Sequence, residues 1–199
     1  MSNCQNDKAR SSDTCDCNND ESKRIIVEQE KKQLIIDFMY IDLQVCTRCQ
    51  GTEKSLKDAV NEVSNLLENI GYDVEVNNIL VEDEEQAKSL KFISSPTIRI
   101  NGEDIQLTIK ESNCDTCGTL TGSSVDCRVW IYEGKEYNEV PKSLIMDAIL
   151  KEVYRTEQNL LGGKKESYVL PENLKRFFAR KRIHIEQCCI PNEGTNECC

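Results

Sequence analysis

The chain has 199 residues, enough for one domain with tails or two small ones, and its 25 Lys and Arg against 35 Asp and Glu leave a formal charge of −10. Such acidity excludes a surface built as a whole for nucleic acid or anionic lipid. Only 38% of the residues are hydrophobic and no apolar run is long enough to span a bilayer.

The first segment, Met1 to Glu30, is polar and acidic and lacks the apolar stretch and small-residue cleavage site of a signal peptide, so the expected location is the cytoplasm. Residues 1–32 read as a disordered, cysteine-containing arm, too polar to offset the entropy of ordering. Leu34 to Leu43 (LIIDFMYIDL) is apolar on both alternating faces and predicts a central strand covered on both sides. From Thr52 the period changes. Leu56, Val60, Val63, Leu67 and Ile70 form one stripe of a helix that Gly71 closes. Asp73 to Val81 reads as a second strand, parallel to the first, and completes a βαβ unit.

Glu82 to Leu90 predicts a short acidic helix, and Ser94-Ser95-Pro96 breaks the chain before a strand at Thr97–Ile100. Asn101-Gly102 is a two-residue hairpin signal leading into Asp104–Ile109. An irregular cysteine-rich insertion, residues 110–128, precedes a strand at Arg128–Tyr132 and a turn at Glu133-Gly134. Pro141 then opens a helix to about Tyr154 with Leu144, Ile145, Ala148, Ile149 and Val153 inward. Gly162-Gly163 reads as a hinge. The tail, residues 156–199, holds a helix candidate at Pro171–Arg182 that docks Phe177 and Phe178 on the acidic domain, and residues 183–199 are expected to add little to stability.

Twelve cysteines dominate the chemistry. A reducing compartment keeps thiols free, so their number points to redox chemistry or soft-metal binding. They are clustered: Cys4, Cys15 and Cys17; Cys46-x-x-Cys49; Cys114-x-x-Cys117 with Cys127; Cys188-Cys189; and Cys198-Cys199. Cys46 lies at or just ahead of a helix N-terminus, where unpaired amides stabilise a thiolate, and Arg48 adds positive charge. It is expected to be the more reactive thiol, with Cys49 resolving the mixed disulfide. Cys114, Cys117 and Cys127 give three sulfurs at knuckle spacing, one short of structural zinc. The lone His184 lies in the tail, and trigonal thiolate coordination suits As(III), Hg(II) or Cu(I). The paired cysteines Cys188, Cys189, Cys198 and Cys199 can chelate and pass on a soft ion. Asp37, inside the first strand, is a candidate proton-transfer carboxylate.

The order strand, CxxC, helix, strand, helix, Ser-Pro-Thr, hairpin, helix over roughly residues 33–155 resembles the thioredoxin fold. The resemblance implies an α/β domain in which Pro96 is cis and lies against Cys46, with Ser95 and Thr97 flanking it, so Cys46, Cys49 and Pro96 form the expected catalytic set. Val45 before the pair and Thr47-Arg48 within it depart from thioredoxin itself. The block Cys114 to Tyr132 resembles an uncharacterised prokaryotic thioredoxin-like family with a second cysteine cluster. The tail pairs resemble, in arrangement only, those of bacterial arsenic metallochaperones.

The first expectation is a dithiol protein that binds, reduces or transfers a soft metal, metalloid or organometal adduct. Its expected partners are a reducing thiol protein or small thiol and a metal-transfer partner, with neither nucleic acid nor membrane. The alternatives are a non-catalytic metal-binding module, with zinc among the ions, and a general thiol–disulfide oxidoreductase. The two CxxC sites are expected to communicate by sulfur contact.

Overall fold

The computed structural model describes residues 31–122, 124–155 and 167–188. It is a mixed α/β structure with two sheets and, among the described residues, five helices. The main sheet has the order β2-β1-β3-β4, with β1 at Lys32–Tyr40, β2 at Tyr72–Leu80, β3 at Thr97–Ile100 and β4 at Glu103–Asp104. β1 and β2 run parallel, joined through α1 (Thr47–Asn69), and β3 and β4 are antiparallel to their neighbours. The smaller sheet has the order β5-β6-β7, made of Lys110–Asn113, Asp126–Tyr132 and Lys135–Tyr137. The remaining helices are α2 (Glu84–Ser89), α3 (Asp115–Thr121), α4 (Lys142–Val153) and α5 (Glu172–Cys188).

Side chains alternate across a strand, so β1 turns Leu34, Ile36 and Phe38 to one face, where all three are fully buried against α1 and α4. The expectation that both faces are covered holds only at the C-terminal end of β1. Met39 is buried while Ile35 is exposed, because the second layer reaches only that end of the sheet. α1 buries Leu56, Ala59, Val63 and Leu67. Ala59 is fully buried beside the predicted stripe, Val60 packs part-buried against the same core, and Ile70, the residue just past the helix, is exposed; the helix itself starts at Thr47 rather than Thr52. α4 supplies Leu144, Ile145 and Ile149 to the same core.

A second core fills the C-terminal end of the sheet. Met39, Ile41, Val81, Ala87 and Phe92 meet Leu170, Leu174, Phe177 and Phe178 there, together with five cysteines. The two phenylalanines contact edge to face, with centroids 5.4 Å apart. The docking expected of this tail helix is therefore observed, although α5 continues past Arg182 to Cys188. Tyr168 fixes its approach by donating a hydrogen bond to the Phe92 carbonyl at 2.6 Å. Asn173 donates to the Asp126 carbonyl at 2.8 Å, one residue before Cys127.

The insertion is ordered rather than irregular. β5, α3 and β6 form a strand–helix–strand unit in which Cys114 donates its amide to the Val125 carbonyl at 2.8 Å. The hairpin strand after Asn101-Gly102 is shorter than expected, because Gln106 leaves the ladder to bridge the two sheets. Its side-chain amide donates to the Val129 carbonyl and its oxygen accepts from the Ile131 amide. Residues 1–30, the Gly162-Gly163 hinge and Cys189, Cys198 and Cys199 lie outside the described residues, and the expected arm stops short of residue 32, because β1 begins at Lys32. Among the described residues, no helix is long and apolar enough to cross a membrane.

Candidate metal centre

Cys46 is the residue immediately before α1, in extended backbone, and its sulfur accepts a hydrogen bond from the Cys49 amide at 3.4 Å. The loop that delivers it is held from both ends. The Asp42 carboxylate accepts from the Val45 amide at 2.7 Å, and Gln50 donates its side-chain amide to the carbonyls of Leu43 and Gln44. These bonds lie at the surface and fix the path of the loop that leads into the buried Cys46.

From the opposite side come Cys114, which precedes α3, Cys117 in its first turn, and Cys127 on β6. The sulfurs of Cys46, Cys114, Cys117 and Cys127 all lie within 4.8 Å of one another, and all four residues are buried. Zinc–thiolate bonds of about 2.3 Å arranged tetrahedrally put neighbouring sulfurs about 3.8 Å apart, so this spacing is that of a single ion. Four buried cysteines can thus hold one metal ion such as zinc. Sequence spacing placed Cys46 in a redox pair and left the second cluster one ligand short. The structure brings the two together, and the fourth sulfur comes from the CxxC.

Cys49 is left outside this set. It is fully buried, its sulfur lies 3.5 Å from the Ser95 hydroxyl, and its backbone amide donates to the Cys46 sulfur at 3.4 Å. The Ser95–Pro96 peptide is cis, the isomer that the resemblance implied. Pro96 is buried, and the hydroxyl of its neighbour Ser95 lies against the Cys49 sulfur. The Ser95 hydroxyl oxygen accepts from the Ile41 amide at 3.2 Å, and the Ser95 carbonyl accepts from the Arg128 amide at 2.7 Å. One residue thereby links the end of β1, α1 and the strand that carries Cys127.

Charge in the reduced cluster is shared unevenly. Hydrogen bonds from Cys114, Cys117, Cys127 and Cys49 hold the Cys46 thiol well below its ordinary range. Cys49 is pushed up, first by its bond to Cys46 and then by burial. Contacts with Cys117 and Cys127 lower Cys114 to about 6, whereas Cys117 and Cys127 are pushed up, in each case chiefly by Cys114. The Cys127 thiol approaches the Cys117 sulfur at 3.4 Å. Four thiols gathered this closely in a buried pocket are suited to a cation, which displaces their protons on binding.

Arg48, expected to act as a charge beside the thiolate, is engaged differently. Its guanidinium donates to the carbonyls of Asn113 (2.7 Å), Ser112 (3.3 Å) and Cys127 (3.3 Å) and to the Ser112 hydroxyl (3.0 Å). It pins the cysteine-bearing unit to the first turn of α1. Hydrogen bonds to charged groups contribute about 1.5–3 kcal/mol each. Arg48→Met is therefore expected to weaken metal binding by roughly ten- to a hundredfold, and Arg48→Lys to recover only part, since an ammonium cannot fork across several acceptors. Competition against a chromophoric chelator measures this; unchanged affinity in Arg48→Met would show that the unit is positioned without it.

Asp37 is not part of the site. It accepts a hydrogen bond from Asn77 at 3.0 Å and pairs across the sheet with Arg99. Cys188 closes α5, and its side chain lies outside the described residues along with Cys189, Cys198 and Cys199. Cys46, Cys49, Cys114, Cys117 and Cys127 are all free thiols.

A mixed α/β protein with a buried four-cysteine cluster is the class to which these observations lead. Residues 34–149 match the family model described as a domain of unknown function (DUF2703). The match covers more than half of the chain, which belongs to that family. Neither the curated proteins nor the solved structures gave a match.

Proposed function

We propose that the chain is a thioredoxin-like protein in which Cys46 of the CxxC completes a tetrathiolate centre for one thiophilic metal ion, zinc(II) being the best match. The carrying observation is the approach of Cys46 to Cys114, Cys117 and Cys127 within 4.8 Å. Supporting the thioredoxin-like frame are the β2-β1-β3-β4 order, the CxxC at the start of α1 and the cis Ser95–Pro96 peptide beside it. Tetrahedral all-sulfur sites without an open position are characteristic of structural zinc. In this reading zinc takes the place of the As(III), Hg(II) or Cu(I) expected from three thiolates, because a fourth sulfur suits ions that take four ligands.

Handling of As(III), Hg(II) or Cu(I) is the second reading. It is favoured by the fifth thiol, Cys49, since a tetrahedral ion uses one sulfur fewer than the pocket contains. Metal analysis of protein purified under reducing conditions tests both. One zinc per chain surviving dialysis, with cobalt(II) substitution giving a tetrahedral thiolate spectrum that weakens in Cys46→Ser, supports the first. Metal-free protein carrying a Cys46–Cys49 disulfide would overturn it.

A further inference from the structure

Cys46 faces two sets of partners that it cannot satisfy together. On one side are the sulfurs of Cys114, Cys117 and Cys127; on the other is Cys49, one helical turn along α1, whose backbone amide donates to the Cys46 sulfur at 3.4 Å and whose own sulfur is no part of the four-sulfur set. Residues three apart on a helix are neighbours, and a CxxC at a helix start meets the geometry of a disulfide without backbone movement. Resting on the tetrathiolate reading above, we propose that a small peroxide oxidises Cys46 and Cys49 to a disulfide and thereby strips one ligand from the ion, making the centre a peroxide-responsive metal store.

The chemistry balances with hydrogen peroxide as the oxidant. The Cys46 sulfur attacks one peroxide oxygen, the O–O bond breaks, and sulfenic acid and water form. The Cys49 sulfur then attacks the Cys46 sulfur, its thiol proton leaving with the sulfenic oxygen as a second water. The Cys46 thiolate and the Cys49 thiol together lose two electrons, and one peroxide, with the Cys49 proton and one proton from solvent, becomes two waters. The ion is left with Cys114, Cys117 and Cys127. A peroxide fits this role better than a protein disulfide, because both sulfurs are sealed within the second core.

Cys117 and Cys127 are also close, at 3.4 Å, and are the competing pair. Bonding them to each other would break two metal–sulfur bonds. Bonding Cys46 to Cys49 breaks one, because Cys49 holds no ion. Ser95 adds a fixed neighbour to that free thiol at 3.5 Å.

The test treats zinc-loaded full-length protein with hydrogen peroxide, follows zinc release with a chromogenic indicator and maps disulfides by mass spectrometry of the digest. Zinc release should rise together with the Cys46–Cys49 disulfide, and a dithiol reductant should restore binding. Cys49→Ser should keep the same zinc stoichiometry but release it roughly tenfold more slowly or worse, having no resolving thiol. Disulfides confined to Cys114, Cys117 and Cys127, or equal release from Cys49→Ser, would overturn the switch while leaving the metal centre standing. Absence of stoichiometric zinc in the reduced wild type would instead sink the centre itself. Disulfide mapping on the wild type decides the pairing even where the variant fails to fold.

Discussion

Removal of the metal ion by a strong chelator is expected to unfold one half of the molecule before the other. Two cores exist. One joins β1 and β3 to α1 and α4 through aliphatic and aromatic packing at Ile36, Phe38, Leu56 and Ile145, and contains no cysteine; the other gathers the five cysteines with Phe92, Leu174 and Phe177. A ligand that binds only the folded state stabilises it by about 4 kcal/mol when its concentration is a thousandfold above Kd, and structural zinc contributes about 10–16 kcal/mol in small domains that fold only with metal. Hydrogen exchange should therefore accelerate sharply at β5, α3 and β6 and in the first turns of α5, while β1 and α4 retain protection. Cys127→Ser should reproduce this pattern without chelator. Uniform loss across both cores, or protection unchanged, would show that the cysteines pack without an ion.

Asp104→Ala is expected to cost about 3–5 kcal/mol of stability, because it leaves a buried guanidinium without its partner. Arg128 is fully buried and forks onto both oxygens of Asp104, at 2.8 and 2.7 Å, with its guanidinium over the Trp130 ring. Burial, with a smaller contribution from Arg128, lowers Arg99 from its ordinary value while the Asp104 carboxylate opposes this, so removing Asp104 also takes a compensating charge from Arg99. Arg128 follows Cys127 directly and donates its amide to the Ser95 carbonyl, so the damage should also reach metal affinity. Denaturant unfolding of Asp104→Ala beside Asp104→Leu with Arg128→Met measures the effect. The double variant should recover much of the loss, since breaking a buried pair costs more than replacing both members. A single variant within about 0.5 kcal/mol of wild type would mean that Arg128 finds water or another acceptor.

Elements whose signals are local could be read from residue order. A short run that is apolar on both alternating faces signals a strand, and the stripe from Leu56 to Leu67 buries one face only as a helix, so β1, α1, β2 and α4 were legible from residue order, with α1 starting at Thr47 rather than Thr52. Asn101 and Gly102 turn the chain with positive φ, a conformation that asparagine and glycine tolerate. The importance of Cys46, Cys49, Cys114, Cys117 and Cys127 also followed from spacing. Which of them act together did not, because that depends on how two distant units meet in space. A helix start presents Cys46 outward to a second unit and turns Cys49 inward to Ser95, and no periodicity records that unit's approach. Its position depends on Arg48 reaching the carbonyls of Ser112, Asn113 and Cys127, on Gln106 bridging two sheets and on the Arg128–Asp104 pair. These contacts join residues far apart in the chain, and their energy depends on burial and direction, which residue order does not encode locally.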